Sequence, residues 1–129
     1  MKYLLDTHAI LWYLFGSPKL SDKARKLMDS EECFYSYVSF WEISIKQSKG
    51  NLDITHSIFE IDEMCKKAKF KSLPVTLSDF SAVRNLPFQT NVRHNDPFDR
   101  MLISQAKTNC LTIITCDEKI PLYEIQTVW

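Results

Sequence analysis

The sequence predicts an α/β fold: a parallel sheet with helices on both faces. Short runs rich in β-formers alternate with amphipathic helical segments along the whole chain, the pattern of repeated β-α-β units. Helix starts carry recognisable caps, among them Asp96-Pro97 and Ser21. Acidic residues follow the apolar runs KYLL and IITC, where the strands of such a sheet hand over to what comes next.

Taken in order, residues 2–5 (KYLL) read as a buried strand ending at Asp6, and residues 7–15 (THAILWYLF) as a helix closed by Gly16 and Pro18. Ser21 caps a second helix, DKARKLMD, with Ala24, Leu27 and Met28 on one face. Residues 33–38 (CFYSYV) read as an aromatic-rich strand. Ser39 and Glu42 match the S-x-x-E capping box and open a helix that Gly50 ends. Residues 56–69 form an amphipathic helix, and KSLPV a strand kept short by Pro74. Thr76 caps LSDFSAVRN; Asp96, followed by Pro97, caps the helix FDRMLISQAKT. LTIIT is the least ambiguous strand, and EIQTVW reads as the last.

The 129 residues suit a single domain spanning 1–129, and a composition of 45% hydrophobic and 25% charged residues excludes a disordered chain. Only Gly16 and Gly50 are glycines, which argues against a glycine-rich phosphate loop. Net charge is zero, unlike that of a typical nucleic-acid binder. Six basic residues between Met64 and Asn95 (Lys66, Lys67, Lys69, Lys71, Arg84 and Arg93) soften that objection, although Lys66 to Lys69 also suit a helix C-terminus. The four cysteines make no CxxC pair; Cys33 and Cys110 read as buried thiols. Asp6 and His8 interrupt the N-terminal apolar run, so neither a leader peptide nor a membrane span is expected, and a reducing cytoplasm is the expected setting.

Four acids carry the chemistry: Asp6, Glu42, Asp99 and Asp117. Each has a local explanation. Asp6 can cap the first helix, Glu42 can be the partner of Ser39, and Asp96 and Asp99 can serve a helix start. Capping explains the set less well, because Asp6 and Asp117 both follow strands, on the edge where α/β folds bind ligands. Carboxylates gathered there need a cation, and an all-oxygen donor set selects Mg²⁺ or Mn²⁺. His8 and His94 lack zinc-site spacing, and no G-x-S-x-G elbow supports serine hydrolysis. Lys46, one turn after Glu42, suits an i,i+4 ion pair or a phosphate contact, and Arg100 beside Asp99 is ambiguous in the same way.

The segments LLDTHAILWYL, SFWEISIKQSKGNL, HNDPFDRMLISQA and TCDEKI, in that order, resemble the PIN domain, and most of all the VapC-type toxins of prokaryotic toxin–antitoxin pairs. The resemblance covers essentially the whole chain. It implies a three-layer α/β/α fold with a central five-stranded, mostly parallel sheet. It also implies an Mg²⁺- or Mn²⁺-dependent endoribonuclease acting on structured RNA such as tRNA or rRNA, which forms homodimers and is restrained by a partner antitoxin. Residue by residue, the family's four acids fall on Asp6, Glu42, Asp99 and Asp117. Asp96 is similar to an accessory acid, and Thr115 lies where the family often has a hydroxyl near the metal. Lys46, Arg100 and Thr115 are the candidates for phosphate or RNA contact. On this reading a bound ion lowers the pKa of a water, which attacks phosphorus and leaves 5′-phosphate and 3′-hydroxyl ends.

Other classes remain open. A stand-alone PIN nuclease for RNA processing, or a catalytically silent PIN-like binding module, would carry much the same sequence. A receiver domain would need an acid pair after strand one, and a haloacid-type phosphatase a D-x-D where LLDTH has His8.

Overall fold

The structure is a computed structural model that describes residues 1–87 and 96–129. Arg93 and His94, singled out above, lie outside the described residues. Elements run β1 (Lys2–Leu5), α1 (Thr7–Leu14), α2 (Asp22–Ser30), β2 (Glu32–Ser36), α3 (Tyr37–Ser48), α4 (Ile58–Lys67), β3 (Lys71–Leu73), α5 (Leu77–Arg84), α6 (Pro97–Thr108), β4 (Thr112–Ile114) and β5 (Thr127–Val128). A short 3₁₀ turn, Ile120–Tyr123, precedes β5 and was not foreseen from the sequence.

The sheet has five strands in the order β3-β2-β1-β4-β5, and every pairing is parallel. Alternation along the strands divides the apolar residues between its two faces. Tyr3, Leu5, Tyr35 and Ile114 join the cluster that holds Ile10, Met28, Ile43 and Ile61 from α1, α2, α3 and α4. Leu4 and Ile113 join the cluster built on Leu102, Ile103 and Ala106 of α6. The result is a three-layer α/β/α arrangement. From β1 the strand order runs one way to β2 and β3 and the other way to β4 and β5. Its reversal therefore lies between the carboxyl ends of β1 and β4, where α/β folds place their ligands.

Most caps stand where the sequence puts them: Ser21, Thr76 and Asp96 each accept hydrogen bonds from backbone amides of the helix they open. The start of α3 is a correction. Ser39 does not cap it; Ser36 does, accepting from the Val38 amide, so Tyr37 and Val38 are helical rather than strand. Ser39 is thereby one turn inside the helix and buried. Cys33 is buried as expected, whereas Cys110 is exposed, in a left-handed turn (φ 54°) after α6.

Candidate functional site

The site grows from the ends of β1 and β4. Asp6 leaves β1 in extended conformation and caps α1, its Oδ1 accepting from the Thr7 amide at 2.7 Å. Its other oxygen accepts from the Thr115 hydroxyl at 2.7 Å, across the strand-order reversal. Thr115 in turn accepts from the Asp117 amide at 3.0 Å, and Asp117 Oδ1 accepts from the Lys119 amide at 2.9 Å. The β4 exit is thus folded around the Asp6 carboxylate.

On the opposite side the Thr7 hydroxyl donates to Glu42 Oε1 at 2.8 Å and lies 2.9 Å from Ser39 Oγ. Glu42 Oε2 pairs with Lys46 Nζ at 2.8 Å. Thr115, Asp6, Thr7, Glu42 and Lys46 therefore form one continuous polar chain across β4, β1, α1 and α3. Thr7 and Ser39 are the members of this polar chain that the sequence reading did not single out. The available signal was a hydroxyl immediately after the first acid and another one helical turn before the second.

Asp99 enters from the first turn of α6. Asp96 holds that turn, accepting from the Phe98 and Asp99 amides at 2.8 and 3.2 Å. Burial raises the Asp99 carboxyl from the usual 3.8 to about 8, and the fields of Asp6, Asp96, Asp117 and Glu42 add to the shift. All four are thus within electrostatic reach of Asp99. Asp6 is also raised, mainly by burial, against the hydrogen bond from Thr115. Among the described residues, no three histidine, cysteine, aspartate or glutamate side chains stand at a shared ligating distance. The donor set nonetheless fits a hard divalent ion in kind and in charge: every candidate ligand is a carboxylate, and their mutual repulsion is what a cation relieves.

Two candidate RNA contacts have other work. Arg100 is only 5% exposed; its guanidinium donates to the Leu86 and Pro87 carbonyls at 2.8 and 3.0 Å and lies over the Tyr123 ring. These bonds tie α6 to residues 86–87. Neighbours on a helix point about 100° apart, so standing next to Asp99 in sequence does not direct Arg100 to the site. Thr115 is buried with its hydroxyl committed to Asp6 and the Asp117 amide, which makes it a positioning residue. Lys46 forms the i,i+4 ion pair that its spacing allowed.

Trp41, next to Glu42 in sequence, is 58% exposed with its ring edge-on to Phe98 at 4.8 Å. It borders two apolar grooves. One, of about 440 Å³, is lined in part by Val38, Val75, Phe80, Val83 and Met101; the other, of about 370 Å³, by Tyr37, Phe40, Ile58 and Phe59.

The PIN domain model matches residues 3–126. No curated protein matches the chain. Among solved structures, VapBC2 from Rickettsia felis bound to a DNA fragment from their promoter is similar at 13% identity and a TM-score of 0.71, covering 99% of this chain and 98% of that one. FitAcB from Neisseria gonorrhoeae is similar at 16% identity and a TM-score of 0.65, covering 98% and 96%. A toxin–antitoxin complex from Klebsiella pneumoniae gives 16% identity and a TM-score of 0.63, again covering 98% and 96%. At these identities the likeness is one of fold.

Proposed function

This chain belongs to the PIN domain family, whose members are generally nucleases, and from that premise we propose that it is a divalent-metal-dependent endoribonuclease and the toxin of a toxin–antitoxin pair. One observation carries the catalytic reading. Carboxylates from separate parts of the chain act on Asp99 near the strand-order reversal, and burial first, then their field, raises it to about 8. A purely structural role for these acids gives no reason to gather them. Asp6, Glu42, Asp99 and Asp117 would hold Mg²⁺ or Mn²⁺, with Asp96 accessory. The ion would supply a nucleophilic water at neutral pH and charge stabilisation at phosphorus.

The chain's own residues do the rest. Thr115 fixes the Asp6 carboxylate against β4, and Thr7 fixes Glu42 against α1. Asp96 fixes the first turn of α6, and so the point from which Asp99 projects. The substrate is proposed to be structured RNA such as tRNA or rRNA, with specificity resting on shape and unpaired nucleotides. The non-toxin RNA-processing nuclease and the silent binding module remain the rival readings.

Support for the toxin role comes from the similar fold in Klebsiella pneumoniae, which is described as a toxin–antitoxin complex. A cytoplasmic setting is part of the proposal; no helix among the described residues is long and apolar enough to cross a membrane. Expression of this chain alone should arrest growth. Asp6→Asn should not, and co-expression of a small neighbouring gene whose product binds the chain should restore growth. Normal growth with abundant soluble wild-type protein would overturn the toxin role and leave the nuclease reading standing.

Homodimerisation is proposed on the exposed apolar residues. The sequence placed the excess on the first two helices and residues 56–69. Phe59 is exposed within 56–69 as expected, but much of the rest lies on α3 and α5, at Trp41, Leu77 and Phe80, with Phe15 at the end of α1 and Trp12 packed against Trp129. Light scattering at micromolar concentration should return twice the chain's 15.1 kDa. The pair Trp41→Lys and Phe80→Lys should shift the protein to the single-chain mass. A wild-type mass of one chain would refute the dimer.

A further inference from the structure

Glu42 has both carboxylate oxygens engaged before any ion arrives. The inner one takes the buried Thr7 hydroxyl at 2.8 Å, and the outer one the Lys46 ammonium at 2.8 Å. Their places on α3 explain this: Ser39, Glu42 and Lys46 lie on one stripe (i, i+3, i+7), and that stripe meets the first turn of α1. The Glu42 side chain is 8% exposed and that of Lys46 36%, so the pair is screened far less than an ordinary surface ion pair. From the juxtaposition of Lys46 Nζ with Glu42 Oε2, we propose that Lys46 is a built-in counter-cation of the site, competing with the divalent ion for Glu42 and so limiting metal affinity.

This inference rests on the proposal that the acids hold a divalent cation. Its physical basis is simple. A carboxylate already neutralised by an ammonium gains less from a second cation than a bare one does. In the metal-free protein Lys46 makes a nearly buried Glu42 tolerable. When an ion binds, the ammonium must share Glu42 or swing away on its four-carbon stem, a movement its partial exposure allows. Lys46 is thus a positioning residue that acts through Glu42. The two uses considered from sequence are reconciled, because an ammonium released from Glu42 stands at the rim where a phosphate would lie.

The test is a calorimetric titration of the full chain with Mn²⁺ alone, without RNA. Lys46→Met, which keeps the apolar stem, should bind Mn²⁺ about tenfold more tightly than wild type. Lys46→Arg, which keeps the charge, should stay within about threefold of wild type. Lys119→Met removes one charge from the loop carrying Asp117 and leaves Lys46–Glu42 intact; it should change affinity by less than about threefold. Lys46→Gln serves if the Met variant fails to fold. Unchanged or weaker binding by Lys46→Met would overturn the inference, and so would equal tightening by Lys119→Met, which indicates a general field effect. If wild type binds no Mn²⁺, the metal reading itself fails and this inference with it. If wild type binds, Asp99→Asn abolishes binding and Lys46→Met has no effect, only this inference fails.

Discussion

Asp99→Asn is expected to lower RNA cleavage by on the order of 10³-fold or more while making the metal-free protein more stable. The two effects have one cause. Asp99 sits in the first turn of α6 in the field of Asp6, Asp96, Asp117 and Glu42, and its carboxyl is raised from 3.8 to about 8. Between those values the folded chain binds a proton that the unfolded chain does not. This group's contribution to stability is therefore greatest at low pH and falls as pH rises toward 8. Above 8 the ionised carboxylate weighs fully against the fold. The amide removes that charge at almost constant volume. At pH 8 without metal, the variant should gain about 1–3 kcal/mol over wild type, an advantage that should disappear near pH 4. Thermal unfolding at the two pH values, with chelator, measures it. Excess Mn²⁺ at pH 8 should raise the wild-type midpoint and leave the variant's nearly unchanged. A variant less stable than wild type at pH 8 would make Asp99 an ordinary helix-start acid.

The largest loss of stability among polar substitutions is expected at Gln105, which is fully buried on α6. Its Oε1 accepts from the Ser36 hydroxyl, the cap of α3; its Nε2 donates to the Pro74 carbonyl and to the buried Asp79 carboxylate. Gln105 thus ties the helix carrying Asp99 to the junction from which the Glu42 helix starts. Gln105→Met keeps length and loses these bonds, leaving the buried Ser36 hydroxyl without its acceptor and the Pro74 carbonyl and Asp79 carboxylate with one donor fewer. A cost of about 3 kcal/mol follows, on the order of a 10 °C fall in midpoint. Lys107→Met, on the exposed side of the same helix, should stay within about 0.5 kcal/mol. A Gln105→Met midpoint within 2–3 °C of wild type, again on the order expected for under 1 kcal/mol, would remove this link from the account.

Local chemistry made much of this fold legible. LTIIT reads most plainly as strand, and Ser21, Thr76 and Asp96 are good cap residues, so their helices start where expected. The α3 start was missed because Tyr37 and Val38 are β-formers and Ser39-x-x-Glu42 imitates a capping box. Tertiary contact with Thr7 decides the matter, since it holds Ser39 and Glu42 inside the helix. The 3₁₀ turn at 120–123 offers too few residues for periodicity to register. The acids were legible one by one as residues beside apolar runs, and their convergence followed from the parallel sheet. Their connections were not, because Thr7 to Glu42 spans 35 positions and Thr115 to Asp6 spans 109. The burial of Arg100 was not legible either, because residues adjacent in sequence diverge on a helix.

The central claim is that these carboxylates form one metal-dependent nuclease site. The measurement that addresses it most directly is cleavage of end-labelled structured RNA by purified protein, with Mn²⁺ or with chelator, for wild type, Asp6→Asn and Asp99→Asn. Wild type should cleave only with metal, leaving 5′-phosphate ends, and neither variant should cleave although both remain folded. Metal-independent cleavage, or near wild-type turnover by either variant at saturating Mn²⁺, would contradict it.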